Sequence, residues 1–162
     1  MLLVFAQVMI LNNVHLHGLF NPYIYPLFIL LLPFETPAWF LLFLGFFCGF
    51  TVDLFSNSMG MHAAATTLLA FFRPYMIGLL KPAAGYQPED KPTISSMGFL
   101  WFVTYVAFLM FIHHLVFFMI ETLSFRQIIF VISKIAISTL ISIALIVTIQ
   151  YLFYGKRKRS EL

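Results

Sequence analysis

The fold is decided by residues 45–75, GFFCGFTVDLFSNSMGMHAAATTLLAFFRPY, in which two apolar segments meet at the polar turn Ser56-Asn57-Ser58. Of the 162 residues, 62% are hydrophobic and 9% are charged, whereas soluble domains carry about 25% charged residues. Too few polar residues remain to cover one face of each helix with polar groups. The composition therefore predicts a membrane protein, since a bilayer is the solvent in which such helices are stable.

The order of apolar segments predicts an all-α fold, a polytopic membrane bundle of about six transmembrane helices in a single domain. The first two segments are shorter than the roughly 20 residues that a spanning helix needs. For the first segment we expect one of three arrangements: it lies in the membrane interface, residues 12–14 extend it, or, as we favour, the span begins upstream of residue 1. An Asn-Pro or Thr-Pro pair precedes the second and third segments, as is typical of helix starts. The expected spans are residues 1–14, 22–34, 38–55, 59–81, 97–120 and 126–154.

Basic residues predict the orientation of the bundle. The one long loop, residues 82–96, contains Lys91 and directly follows Lys81, and the tail, residues 155–162, contains the run KRKR. Basic segments next to spans stay in the cytoplasm, so we expect the C-terminus there, and six spans would place the loop on the same side. We expect the tail to contact lipid headgroups and not nucleic acid.

A pair of glycines and an acid share one face of the third segment. Gly45, Gly49 and Asp53 follow each other at intervals of four, and small residues at this spacing let helix backbones approach closely. The glycines predict either packing inside the chain or docking of another protein's helix. Asp53 predicts a cap or hydrogen bond at the Ser56-Asn57-Ser58 turn, a salt bridge between helices, or an ion-coupled site.

His62 and Arg73 lie eleven residues apart, so at 100° per residue they share a face of the fourth segment. Arg73 precedes Pro74, whose ring removes a hydrogen bond from the helix and predicts a kink. Three roles are open for Arg73: to extend towards the membrane surface, to cap carbonyls that the kink releases, or to pair with an acid such as Glu35.

Other polar residues predict no chemistry. His113 and His114 are adjacent and point about 100° apart, which does not suit one metal ion. Ser138 and Ser142 follow Lys134 at intervals of four and predict helix packing. Lys134 is expected either to extend towards the membrane surface or to pair with Glu121 or Asp53. Because no catalytic set occurs, we expect neither an enzyme nor a bound cofactor or metal.

Residues 21–75 resemble the MreD family, which belongs to the bacterial cell-shape (elongation) machinery. The resemblance is carried by a glycine-containing span that ends in an Asp-Leu-hydrophobic-Ser turn, followed by Gly-hydrophobic-His and an alanine-rich helix. In this chain the matching residues are Gly49, Asp53, Leu54, Ser56, Gly60 and His62. The length and the basic tail agree with the family, whereas the short N-terminal segment departs from it.

This resemblance implies a multi-pass scaffold in the bacterial inner membrane and a fold similar to the S components of energy-coupling-factor vitamin transporters. It implies binding to MreC and, through the complex, to MreB filaments, RodA and a penicillin-binding protein. The expected docking surface is a groove between helices, shaped by Gly45, Gly49, Asp53, Ser56, Asn57, His62, Arg73 and Pro74. The alternative is a subunit that binds a vitamin-type small molecule for a transporter.

Overall fold

The computed structural model describes residues 2–9, 11, 21–122 and 128–160, which form helices and connecting turns without a β-strand. The helices are α1 (Leu2–Met9), α2 (Leu27–Leu30), α3 (Ala38–Ser56), α4 (Met61–Leu79), α5 (Ile94–Met97), α6 (Phe99–Thr122) and α7 (Ile128–Ser160). The all-α class is therefore confirmed for these residues.

Among the described residues, three helices are long and apolar enough to cross a membrane: Ala38–Ser56, Phe99–Thr122 and the Ile128–Leu152 part of α7. The helix α4 has 19 residues, as many as α3, but His62 and Arg73 make it less apolar. The coarser expectation of apolar membrane helices is thus met, and the count of six spans is not confirmed.

The expected second span, residues 22–34, is not a continuous helix. Only Leu27–Leu30 is helical, a length of about 6 Å at 1.5 Å per residue. Proline rings at positions 26 and 33 remove backbone donors and disfavour helical dihedrals in the residues before them. Even so, residues 22–27 are all buried, so a largely non-helical stretch lies inside the bundle. Residues 21–34 are called the irregular segment below.

The long helices pack in sequence, with α3 against α4, α4 against α6 and α6 against α7. A turn at residues 57–60 joins α3 to α4 and defines the turn end of the bundle. The opposite, loop end holds residues 80–93, after which Thr93 caps the short helix α5 by accepting a hydrogen bond from the Ser96 amide (3.4 Å). The expected long loop is therefore largely present, but it contains one helical turn.

The centre of the core is formed by the irregular segment together with α4 and α6. Fully buried apolar side chains there are Leu27, Ile29, Leu30, Leu69, Phe102, Val106 and Leu109. Large apolar side chains on the outside of α3 and α7, such as Trp39 (70% exposed) and Ile129 (80% exposed), face away from this core. This outward apolar surface fits lipid better than water.

Candidate functional site

Gly45 and Gly49 bring α3 against α4 of the same chain. A Cβ atom built on Gly49 would lie 2.3 Å from the His62 carbonyl oxygen and 2.6 Å from the Ala63 Cα. At Gly45 it would lie 2.9 Å from the Ala70 Cβ. Backbone atoms cannot yield as a flexible side chain can, so only glycine fits at position 49. The structure thus places both glycines in internal packing and not on an open surface.

Asp53 joins the end of α3 to the start of α4. Its Oδ1 accepts hydrogen bonds from Ser58 Oγ (2.5 Å) and the His62 amide (3.0 Å), and its Oδ2 accepts one from the Ala63 amide (2.8 Å). The first amides of a helix have no partner within the helix, and they carry partial positive charge. A buried carboxylate here therefore caps α4, which agrees with the capping alternative for this residue.

The turn itself depends on backbone conformation more than on side chains. Asn57 ends α3 in the left-handed region (φ 54°), and its amide donates to the Asp53 carbonyl. Met59 (φ 47°) and Gly60 (φ 88°) also have positive φ. Asparagine and glycine adopt this region most readily, which explains their positions. Ser58, a member of the turn at which the sequence predicted a bond for Asp53, supplies the hydroxyl that bonds this carboxylate.

Arg73 is fully buried and binds the irregular segment. Its Nε donates to Tyr105 Oη (2.9 Å), and its Nη2 donates to the carbonyl oxygens of Leu32 and Pro33 (3.3 Å to the latter). The Tyr105 hydroxyl in turn donates to the Leu30 carbonyl (3.0 Å). Two side chains thus serve carbonyls that a continuous helix would have paired with its own amides.

This arrangement differs from all three alternatives for Arg73. The guanidinium does not reach the membrane surface, because the residue is 0% exposed. It also does not pair with Glu35, since the ion pair found among the described residues joins Lys134 to Glu121 (2.5 Å). The helix continues past Pro74 to Leu79, and the carbonyls that Arg73 binds belong to the irregular segment instead of α4. The pairing of Lys134 with Glu121 is one that the sequence predicted.

Tyr25 forms the second connection to α4 and α6. Its hydroxyl oxygen lies 2.7 Å from Thr66 Oγ1, 2.7 Å from His113 Nε2 and 3.2 Å from His62 Nδ1. The Thr66 hydroxyl donates to the His62 carbonyl (2.8 Å), so it accepts the Tyr25 proton. Both imidazoles must then donate to the Tyr25 oxygen, which assigns the proton of His62 to Nδ1 and that of His113 to Nε2.

Backbone groups at the start of the irregular segment are bonded by α1 and α7. The Gln7 side chain accepts from the Ile24 amide (2.9 Å) and donates to the Pro22 carbonyl (3.2 Å). The Tyr23 amide donates to Ser142 Oγ (2.9 Å). The Asn21 amide donates to the hydroxyl of Ser138 (3.3 Å), one turn away on the same face of α7.

The buried polar side chains of four helices therefore converge on one stretch of backbone. Non-helical backbone is tolerated at membrane depth only where protein or trapped water satisfies its polar groups. Sequence analysis placed His62 and Arg73 on one face of α4, and both do contact the irregular segment. It did not predict that Ser138 and Ser142 accept hydrogen bonds from backbone amides of the irregular segment. Every residue except proline has a backbone amide, so a sequence does not indicate which amides need such a partner.

His113 and His114 act separately, as their angular offset predicts. His113 bonds Tyr25, whereas His114 Nδ1 donates to the Met110 carbonyl (2.7 Å) and its Nε2 accepts from Ser142 Oγ (3.3 Å). No group of three or more His, Cys, Asp or Glu side chains suited to a metal ion occurs in residues 2–9, 11, 21–122 and 128–160.

Two cavities flank the α3–α4 turn and differ in character. The first, called the α3–α4 groove, is an open cleft of about 860 Å³ on the outer face of both helices, lined mainly by Phe46, Phe50, Ala63, Ala64, Thr67 and Phe71. The second, called the polar cavity, holds about 510 Å³ at the turn end, between α1, the irregular segment, the turn and the end of α6.

Together these features define the class of protein: an all-helical membrane bundle built around a buried, non-helical segment. No family model, curated protein or solved structure matches the chain. Function therefore has to be argued from the site and from the sequence resemblance.

Proposed function

We propose that this chain is a non-enzymatic, multi-pass scaffold of the MreD type. In this proposal it binds the transmembrane helix of a bitopic protein, MreC, and so helps couple MreB filaments to peptidoglycan synthesis by RodA and a penicillin-binding protein. The observation that carries the proposal is the α3–α4 groove. It is an apolar cleft on the outer surface of these two helices, on the side away from the core. The resemblance of residues 21–75 to the MreD family supplies the partner.

The shape of the groove suits a helix. Its floor on α4 is made of small residues (Gly60, Ala63, Ala64 and Thr67), and small residues let a second helix backbone approach closely in a membrane. Its walls are large side chains of both helices, among them Phe46 and Phe71, which are each 45% exposed. Such an exposed apolar wall gains dispersion contacts when another helix replaces lipid.

The groove is also rigid, which favours binding because little order has to be gained on association. Gly49 holds the two helix backbones in contact, and Asp53 fixes the turn that joins them. In this account the candidate residues act on the partner indirectly. Gly45, Gly49 and Asp53 position α3 against α4, whereas His62 and Arg73 attach α4 to the core.

For orientation we propose the bacterial inner membrane, with the loop end and the basic C-terminal tail in the cytoplasm. The basic residues of the tail and the lysines of the 80–93 loop support this orientation through the positive-inside rule. The turn end then faces the opposite side of the membrane, where most of a bitopic partner with a short cytoplasmic end would lie.

The test is a substitution that fills the groove without touching internal packing. Ala64 lines the groove floor and is exposed, so Ala64→Leu obstructs a docking helix. Gly78→Leu is the matched control, because Gly78 is an exposed position on the same helix, is not part of the groove, and a Cβ there would meet nothing within 4 Å. Affinity purification from native membranes measures how much MreC accompanies each variant.

We expect Ala64→Leu to reduce MreC recovery at least about tenfold, the effect of losing a central interface contact, while Gly78→Leu recovers it normally. Depletion of the protein should also turn rod-shaped cells round. Normal MreC recovery with Ala64→Leu at normal expression would contradict the proposal. Recovery of ATPase modules in place of MreC would favour a transporter subunit.

A further inference from the structure

The polar cavity is a second candidate site, separate from the α3–α4 groove. Its volume of about 510 Å³ lies in the range of small-molecule sites, which is about 300–1,000 Å³. Its lining combines aromatic rings (Tyr23, Phe55 and Phe117) with polar groups of Asn57, His62 and Glu121. Mixed linings of this kind are typical of ligand pockets, in which a few polar groups orient a molecule against apolar walls.

His62 lines this cavity. The residue is only 2% exposed, and its Nδ1 donates to Tyr25 as the proton count above requires. Its second ring nitrogen, Nε2, has no hydrogen-bond partner in the described part of the chain. Because the proton is on Nδ1, Nε2 is an acceptor. A buried acceptor next to a cavity favours a ligand that donates a hydrogen bond.

Further groups at the cavity have spare hydrogen-bonding capacity of the same kind. Glu121 uses Oε2 on Lys134, which leaves Oε1 without a partner among the described residues. The Asn57 side chain makes no hydrogen bond there either, and its amide can both accept and donate. Among the free groups of these three side chains, acceptors therefore outnumber donors. This balance disfavours phosphates and carboxylates, which only accept.

Among the described lining residues of the cavity, the charged side chain is that of Glu121, and it is paired with Lys134. A ligand with a net charge would therefore enter without a counter-ion, which is costly in a partly buried site. The rigid walls support a preformed pocket, since the His62 ring packs edge-on against Tyr23 (4.9 Å between centroids) and lies 4.5 Å from Phe117.

We propose that the polar cavity binds a neutral, hydroxyl-rich group of the sugar or polyol class. His62 Nε2 and Glu121 Oε1 accept hydroxyl protons, the Asn57 amide bonds a further hydroxyl, and the aromatic walls cover the apolar face of the ring. The same group could be a free molecule or the headgroup of a glycolipid, because the cavity lies at an end of the bundle.

The experiment uses the full-length protein in nanodiscs prepared without sugar-headgroup detergents and with ¹⁵N-labelled histidine. Methyl glucoside is the free probe, monoglucosyl diacylglycerol in the disc is the lipid probe, and ethanolamine is a cationic competitor. The ¹⁵N resonance of His62 Nε2 reports the new hydrogen bond. Asn57→Gly removes the amide but keeps a residue that adopts positive φ, and Gln87→Ala at the loop end is the control.

We expect one sugar probe to shift the His62 Nε2 resonance, with at least about tenfold weaker binding in Asn57→Gly and unchanged binding in Gln87→Ala. Binding of methyl glucoside identifies a free ligand, and binding of the lipid alone identifies a headgroup. The proposal is overturned if neither sugar shifts the resonance, if only ethanolamine does, or if Asn57→Gly binds as well as the parent chain. MreC recovery does not enter this test, so the two proposals can fail independently.

Discussion

Two regions lie against α4, namely α3, which forms a hairpin with it, and the irregular segment, yet they are held there in opposite ways. The hairpin consists of two continuous helices. They pack closely because Gly49 has no side chain and so leaves room for the His62 carbonyl of the facing helix. The irregular segment is helical over only one short stretch. Side chains of neighbouring helices hold it, since Arg73, Tyr105 and Ser142 bond its backbone.

The difference teaches how to interpret polar residues in a membrane chain. Every backbone amide and carbonyl in a bilayer needs a partner, and a helix supplies its own. Where two prolines interrupt the helix, neighbouring helices supply partners instead, and they do so with charged or hydroxyl side chains. The burial of Arg73 is then explained by the backbone carbonyls that it binds.

The largest expected effect tests the hairpin. Gly49→Leu would place side-chain atoms where the His62 carbonyl and Ala63 Cα now lie, so α3 and α4 must separate. We expect a loss of about 3 kcal/mol or more in the free energy of unfolding, measured by steric trapping in bicelles. The control Gly78→Ala should be neutral or slightly stabilising. A stable Gly49→Leu protein would mean that the helices are not in this contact.

The second-largest expected loss of stability tests the turn between α3 and α4. Asp53→Ala leaves the amides of His62 and Ala63 and the Ser58 hydroxyl without an acceptor in a buried site. The expected cost is about 2–4 kcal/mol. Asp90→Ala in the exposed loop is the matched control and should cost about 1 kcal/mol or less, because water replaces its partners. Equal effects of the two substitutions would refute the capping role.

Tyr25→Phe tests the attachment of the irregular segment at its most connected point. The substitution keeps the ring but leaves Thr66, His62 and His113 without their common partner. We expect a loss of about 1–2 kcal/mol in the free energy of unfolding. An unchanged stability would show that these side chains find other partners and that Tyr25 acts by packing alone.

Ser142→Ala should have the smallest effect of the four. It removes one acceptor from the Tyr23 amide and one contact from His114, at a cost of about 1 kcal/mol. Ser133→Ala is the control on the same helix, since the Ser133 hydroxyl is exposed and bonds only the Ile129 carbonyl of its own turn. A difference between the two serines sharpens the comparison, because only Ser142 serves another segment.

The sequence predicted much of the hairpin and little of the irregular segment. Gly45, Gly49 and Asp53 could be interpreted because helix spacing places them on one face, where small residues and a terminal acid have few roles. Residues 22–34 could not, since their apolar composition is typical of a span and the Asn21-Pro22 pair is typical of a helix start. The partners of Arg73 were also hidden, because carbonyl groups are present at every position and hydropathy does not show which are unpaired.

The central claim is that side chains of α1, α4, α6 and α7 satisfy the backbone of the irregular segment. Residue-resolved hydrogen exchange of the protein in lipid tests it most directly at the Tyr23 and Ile24 amides, which bond Ser142 and Gln7. We predict that both amides exchange about as slowly as those in the middle of α6, and that Ser142→Ala accelerates Tyr23 more than Ile24. Fast exchange of both amides in the parent chain would contradict the account.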